Sequence, residues 1–113
     1  MREDADRIRD MLAAIARIQR YAREGRQRFE ADELVQVFFI HQLQTLGEAA
    51  SRVSRELRDA NPDVPWGKMI GMRNALVRGY FAVRLDVIWD AVEHDLGPLQ
   101  EQLERILLTN EEC

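Results

Sequence analysis

The sequence predicts an all-α fold, a bundle of four main helices and one short helix, and three observations carry that expectation. Through most of the 113 residues, apolar side chains recur at three- and four-residue steps, the period of one helix face. No segment alternates apolar and polar residues as a half-buried strand does. Gly25, Asn61-Pro62-Asp63-Val64-Pro65 and Gly97-Pro98 punctuate the chain at intervals that suit helices joined by short connections.

Asp4 or Asp6 caps the first helix, whose inward residues are Ile8, Met11, Leu12, Ile15, Ile18 and Tyr21, and Gly25 stops it. Its outward arginines, Arg9, Arg17, Arg20 and Arg23, continue into Arg26 and Arg28. Glu3, Asp4, Asp6, Asp10, Glu24 and Glu30 are interspersed with them, and such mixed charge reads as a solvated face rather than a nucleic-acid track.

The second helix runs from an Asp32 cap to about Leu57. Leu34, Val35, Val37, Phe38, Phe39, Ile40, Leu43, Leu46, Ala49, Ala50 and Val53 surround much of its circumference, so it is central or lies at an interface. Gly47 and Ala49-Ala50, in its middle, allow a neighbouring helix to approach closely. His41, set among these apolar residues, reads as a hydrogen-bonded core or interface residue rather than a base.

Pro62 and Pro65 withhold amide donors and bias their predecessors away from helix, which makes this stretch a loop inside one domain, residues 1–113. Trp66 to Ile70 forms a short helical turn with Trp66 inward. A longer helix follows from about Met72 to Asp95, burying Leu76, Tyr80, Val83, Val87 and Ala91. Gly97 and Pro98 end that helix and start the last one. Leu99, Leu103, Ile106 and Leu107 make the last helix amphipathic, and Asn110 to Cys113 fray.

Composition excludes several classes of function. With 46% hydrophobic and 32% charged residues the chain is globular, and no run approaches the roughly 18 to 20 apolar residues of a membrane span. The charged start, Met1-Arg2-Glu3-Asp4, has no apolar segment of the signal-peptide kind, so a cytoplasmic protein without a membrane partner is expected. The single Cys113 rules out an internal disulfide, and with only His41 and His94 besides, a tight transition-metal site is not expected. Neither is a cofactor, since there is no Gly-rich phosphate loop. A domain of this size gains useful buried surface by pairing, so an oligomer is expected.

The informative stretch is Gly71-Met72-Arg73-Asn74-Ala75-Leu76-Val77-Arg78-Gly79-Tyr80. Between Val64 and Leu85 there are four cations, Lys68, Arg73, Arg78 and Arg84, and no Asp or Glu. This window carries +4 in a chain whose formal total is −4, leaving −8 elsewhere. An acidic protein needs such a local reversal to touch a phosphate backbone.

The same stretch resembles the HEPN superfamily, and more closely its HepT-like branch, whose signature usually reads R-N-x-L-V-H-x-Y. Here it reads RNALVRGY, with Arg78 where the family has its His. The likeness extends to Val64-Pro65-Trp66, Ile70-Gly71-Met72 and Leu46-Gly47-Glu48-Ala49-Ala50, and so spans most of the chain. It implies a dimeric helical ribonuclease toxin, paired with a nucleotidyltransferase antitoxin. By the same resemblance Arg73 and the residue at position 78 are catalytic, Asn74 supports them, and Tyr80 is where the antitoxin attaches AMP. Lys68, Arg73, Arg78 and Arg84 are then the RNA-binding cations.

Metal-independent RNA cleavage requires a group to take the 2′-hydroxyl proton and cations to stabilise charge on the phosphorane. Guanidinium stays protonated throughout the working range, so it binds phosphate but is no general base near neutral pH, and the chain reads as a cleavage-impaired ribonuclease scaffold. His94 lies about four turns further along the expected helix and does not fill the gap. On a straight helix Arg73 and Arg78 diverge by about 140°, whereas Arg73 and Tyr80 are about 20° from alignment and Asn74 and Arg78 about 40°. The two arginines converge only if Arg73 swings from a helix start or a second subunit completes the cleft. A non-catalytic helical module that binds a nucleotidyltransferase is the alternative function. A purely structural dimer leaves the +4 window unexplained.

Overall fold

The computed structural model describes residues 2–79 and 84–112. Among them are seven α-helices and no strand: α1 (Arg2–Ala22), α2 (Arg26–Ala31), α3 (Glu33–Arg52), α4 (Arg55–Ala60), α5 (Trp66–Val77), α6 (Leu85–Asp90) and, after a π-helical turn (Ala91–Asp95), α7 (Leu96–Glu112). The all-α expectation holds.

Burial explains the arrangement. α3 lies between α1 and α5, as its broad apolar surface demands, and α7 closes against α1. Ile8, Met11, Ala14, Ile15 and Ile18 give α1 a fully buried stripe, facing Phe39, Leu43, Leu46 and Ala50 of α3 in one core. Asp32 caps α3 as expected, its carboxylate accepting from the amides of Leu34 at 2.9 Å and Val35 at 3.4 Å. Gly25, with φ of 93°, ends the turn after α1 in a conformation costly for other residues. Trp66 is buried as expected, its indole N–H donating to the Asn61 carbonyl at 3.0 Å.

Asp4 is not a cap of the first helix but belongs to its first turn, buried to 5% exposure. Its carboxylate accepts from the Ser54 amide at 2.8 Å and the Ser54 hydroxyl at 2.6 Å. This contact corrects the second helix, expected to reach Leu57. The helix stops at Arg52, Val53 turns extended (φ −68°, ψ 139°), and Ser54 caps the separate α4 by accepting from the Leu57 amide. Nothing in the local sequence demands that break; a partner 50 residues away does. At the other end of the pair the Arg17 guanidinium donates to Gln42 Oε1 at 3.5 Å, so α1 and α3 run antiparallel.

Further expectations are revised. α2 was not anticipated; it exists to seat Phe29, which stacks on Phe39 at 5.2 Å and meets Trp89 at 5.5 Å. Tyr21 is 40% exposed and only edges against Phe38, and on α3 Leu34 and Val37 also face outward. The short turn from Trp66 and the start of the next helix are one continuous α5. That helix does not reach Asp95: it ends at an Arg78 cap followed by Gly79 with φ of 80°, and a new helix starts at Leu85. Of its expected inward residues, Leu76 and Ala91 are buried and Val87 is half-buried, while Tyr80 and Val83 lie outside the described residues.

Gly97-Pro98 does not separate two helices. Pro98 has no amide proton for the His94 carbonyl, and its ring crowds that oxygen; the widened π turn immediately before it absorbs the mismatch, so one rod runs from Leu85 to Glu112.

Candidate functional site

Three helices form a groove of about 480 Å³. Positions 41, 45, 48 and 52 of α3 share a face by the helical period, and they bring His41, Thr45, Glu48 and Arg52 to one wall. Because α1 runs antiparallel, Arg7, Asp10, Ala13 and Arg17 form the opposite wall, and α5 contributes Arg73 and Val77. Four guanidiniums thus face two carboxylates in a chain of net charge −4. Such a surplus in a concave site focuses potential on anions.

Glu48 organises the middle of the groove. Its carboxylate accepts from Arg73 Nη1 at 3.2 Å and from Arg52 Nε at 3.1 Å, so one acid holds two arginines of different helices. Arg73 is 27% exposed, and its Nε is buried with no hydrogen-bond partner among the described residues. Gly47 makes this placement possible. A methyl group there would lie 2.7 Å from the Met69 carbonyl oxygen and against the Arg73 side chain, so α5 rests directly on the α3 backbone. The expected role of Gly47, close approach of a neighbouring helix, is what the structure shows.

Arg73 therefore sits in the body of α5 rather than at a helix start. The first of the two expected ways of bringing it together with Arg78, a swing from a helix start, is not open to it. Arg78 is exposed at the C-terminal cap of α5, its amide donating to the Asn74 carbonyl at 3.2 Å, and it has no ion pair among the described residues. Asn74 is exposed and outside the groove lining. Tyr80 lies outside the described residues, and so does the alignment expected between it and Arg73.

The four cations of the basic window do not share one surface. Lys68 pairs with Asp95 at 2.8 Å, on the side where α5 meets the π turn, and Arg84 pairs with Asp86 at 3.6 Å. Of the four only Arg73 lines the groove. The other groove cations come from α1 and α3. The arginine run around α1 and α2 is exposed, with Arg9 paired to Asp6, Arg26 to Glu30, and Arg28 to Glu24 and Asp32; within that run Arg17 faces the groove.

His41 is not in the core. It is exposed on the groove wall, across from the α1 residues that line the same groove. His94 lies elsewhere, within 3.1 Å of Glu93 and 3.6 Å of Asp90. Among the described residues no three His, Cys, Asp or Glu side chains gather as metal ligands. Sequence reasoning missed Glu48 as a site residue, although it stands inside the quoted Leu46-Gly47-Glu48-Ala49-Ala50 flank. Arg7 and Arg52 carried no signal, since each is one cation among many on a helix of mixed charge.

Residues 11–106 match the family described as Ribonuclease HepT-like. The chain is 30% identical over 106 residues to a "Probable ribonuclease HepT" of Thermococcus cleftensis, covering 93% of this chain and 96% of that protein. It is 32% identical over 79 residues to a "Putative RNase" of Caldanaerobacter subterraneus, 70% of each chain. No solved structure matches at a significant level.

Proposed function

We propose that this chain, which belongs to the ribonuclease HepT-like family, is the ribonuclease toxin of a toxin-antitoxin pair, acting on RNA as a homodimer in the cytoplasm without a metal or cofactor. The observation that supports it best is the cationic groove in which Arg73 of the signature and Glu48 of the upstream flank meet. Arg73 binds the scissile phosphate and stabilises the charge that develops on it. Arg78 stands where the family has a proton acceptor, and a guanidinium binds phosphate without accepting a proton, so cleavage through that position is impaired. Asn74 supports the pair, and Lys68 and Arg84 contact phosphate only by leaving Asp95 and Asp86. tRNA is one candidate substrate.

In this reading a nucleotidyltransferase antitoxin transfers AMP to Tyr80. The added phosphate brings negative charge to the basic window and repels the RNA backbone. Mass spectrometry after incubation with that enzyme, ATP and magnesium checks this: an adduct of AMP should appear and be abolished by Tyr80→Phe.

The experiment for the ribonuclease itself is RNA cleavage by the chain and by its Arg78→His variant. An imidazole titrates near about 6.5 when unperturbed, and a positioned general base contributes about 10² to 10⁴ in rate. Arg78→His should gain cleavage of that order near neutral pH, and adding Arg73→Ala should abolish the gain. An Arg78 that stays protonated and cannot act as a general base also favours a second reading, a non-catalytic module that recruits the nucleotidyltransferase. An Arg78→His protein inert towards RNA, yet still bound by the antitoxin, decides for that module.

A further inference from the structure

We propose that His41 is a proton acceptor of the groove, taking the 2′-hydroxyl proton of an RNA strand held there by the arginines; this rests on the ribonuclease reading above. Among the groove residues His41 carries the one imidazole, and its ring nitrogens can accept a proton without breaking an existing contact. The arginines stay charged. Asp10 is paired with Arg7 at 3.3 Å, and Glu48 with Arg52 and Arg73. The Thr45 hydroxyl donates to the His41 carbonyl at 3.1 Å. The His41 ring is exposed and has no hydrogen-bond or ion-pair partner among the described residues.

The position also suits a strand. From His41 to Arg52 the wall of α3 rises about 16 Å, long enough for more than one phosphate of an extended strand, so the groove takes a segment of backbone. Arg17 reaches from α1 to Gln42, the neighbour of His41 in sequence. Glu48 stands two turns from His41, about 10.5 Å along the axis, and holds Arg52 and Arg73 there. One phosphate then lies between His41 and Arg17, and a neighbouring one lies on Arg73 and Arg52. The charged groups that line the groove with His41 are Arg7, Asp10 and Arg17 from α1, Glu48 and Arg52 from α3, and Arg73 from α5.

The step is an internal transesterification. An imidazole nitrogen takes the 2′-hydroxyl proton, the 2′-oxygen bonds to the adjacent phosphorus, and the bond from phosphorus to the 5′-oxygen breaks. The leaving oxygen takes a proton from water, and the imidazolium returns its own to water, so no proton or water is consumed. The products are a 2′,3′-cyclic phosphate and a 5′-hydroxyl end.

The test uses a fluorescently labelled random-sequence oligoribonucleotide with the unmodified chain, His41→Gln, Arg78→His and the double variant, between pH 5 and 9. Binding is measured in parallel. The unmodified chain should cleave slowly, leaving cyclic phosphate ends, with a rate that rises through the imidazole range. His41→Gln should lower that rate about 10²- to 10⁴-fold and flatten the profile, with RNA binding kept. Equal rates and profiles in the unmodified chain and His41→Gln overturn the proposal and leave the ribonuclease reading standing. So does an unmodified chain that is inert while Arg78→His cleaves. If His41→Gln loses binding in the same proportion as cleavage, His41 only binds and the proposal is likewise overturned. If neither the unmodified chain nor Arg78→His cleaves, both readings fall together.

Discussion

Glu48 holds two of the four groove arginines in its carboxylate, and RNA must compete with it for them. Both partners are partly solvated, so the ion pairs contribute little to folding, about 0 to 1 kcal/mol at such sites. Their consequence lies in ligand binding. Glu48→Gln should leave the unfolding midpoint nearly unchanged, tighten RNA binding and steepen its dependence on salt by about one counterion. Titration of labelled RNA at several salt concentrations measures both. Weaker binding in the variant would mean that Glu48 serves to orient Arg73 rather than to occupy it. Guanidinium chemistry at position 78 could be read from the residue alone; the pairing of Arg73 with Glu48 could not, because it joins two helices.

At the scale of elements the junction of α3 and α5 decides where Arg73 stands. Gly47→Ala would put a methyl group 2.7 Å from the Met69 carbonyl oxygen, and a backbone atom cannot swing aside as the end of a side chain can. α5 must move away from α3. Overpacking of this kind costs about 1 to 3 kcal/mol, so urea unfolding should show a lower midpoint. An unchanged midpoint would mean that the two helices part freely. The small residue at position 47 was legible as a packing device. What it packs against was not, since the spacing of α5 against α3 depends on the loop that positions Trp66. Helix ends were the least legible feature. The stop at Arg52 is set by Asp4 reaching Ser54, and the stop at Arg78 by Gly79 turning to positive φ within a run that otherwise reads as helical.

For the whole molecule, the expectation is that Arg73 and Arg78 act together across two copies. Val77 supports this: it is apolar, 65% exposed and on the groove rim beside Arg78. If that rim pairs with a second copy, Val77→Glu should shift the protein towards monomer in light scattering after gel filtration. In the Arg78→His background it should also remove the gained cleavage. A native chain that is monomeric at working concentration, with Arg78→His still active, counts against the shared cleft.

Local pattern by itself determined the helical class, the Asp32 cap, the buried stripe of α1, the close approach at Gly47 and the basic window with its signature. These follow from period, capping chemistry and residue size, which act within a few residues. Tertiary structure alone decided that His41 faces a groove instead of the core, that Lys68 and Arg84 pair away from Arg73, and that Arg7, Arg17, Glu48 and Arg52 complete the site. The reason is that a helix pattern says which residues share a face, while contacts such as Asp4 with Ser54 and Arg73 with Glu48 decide which neighbour that face meets.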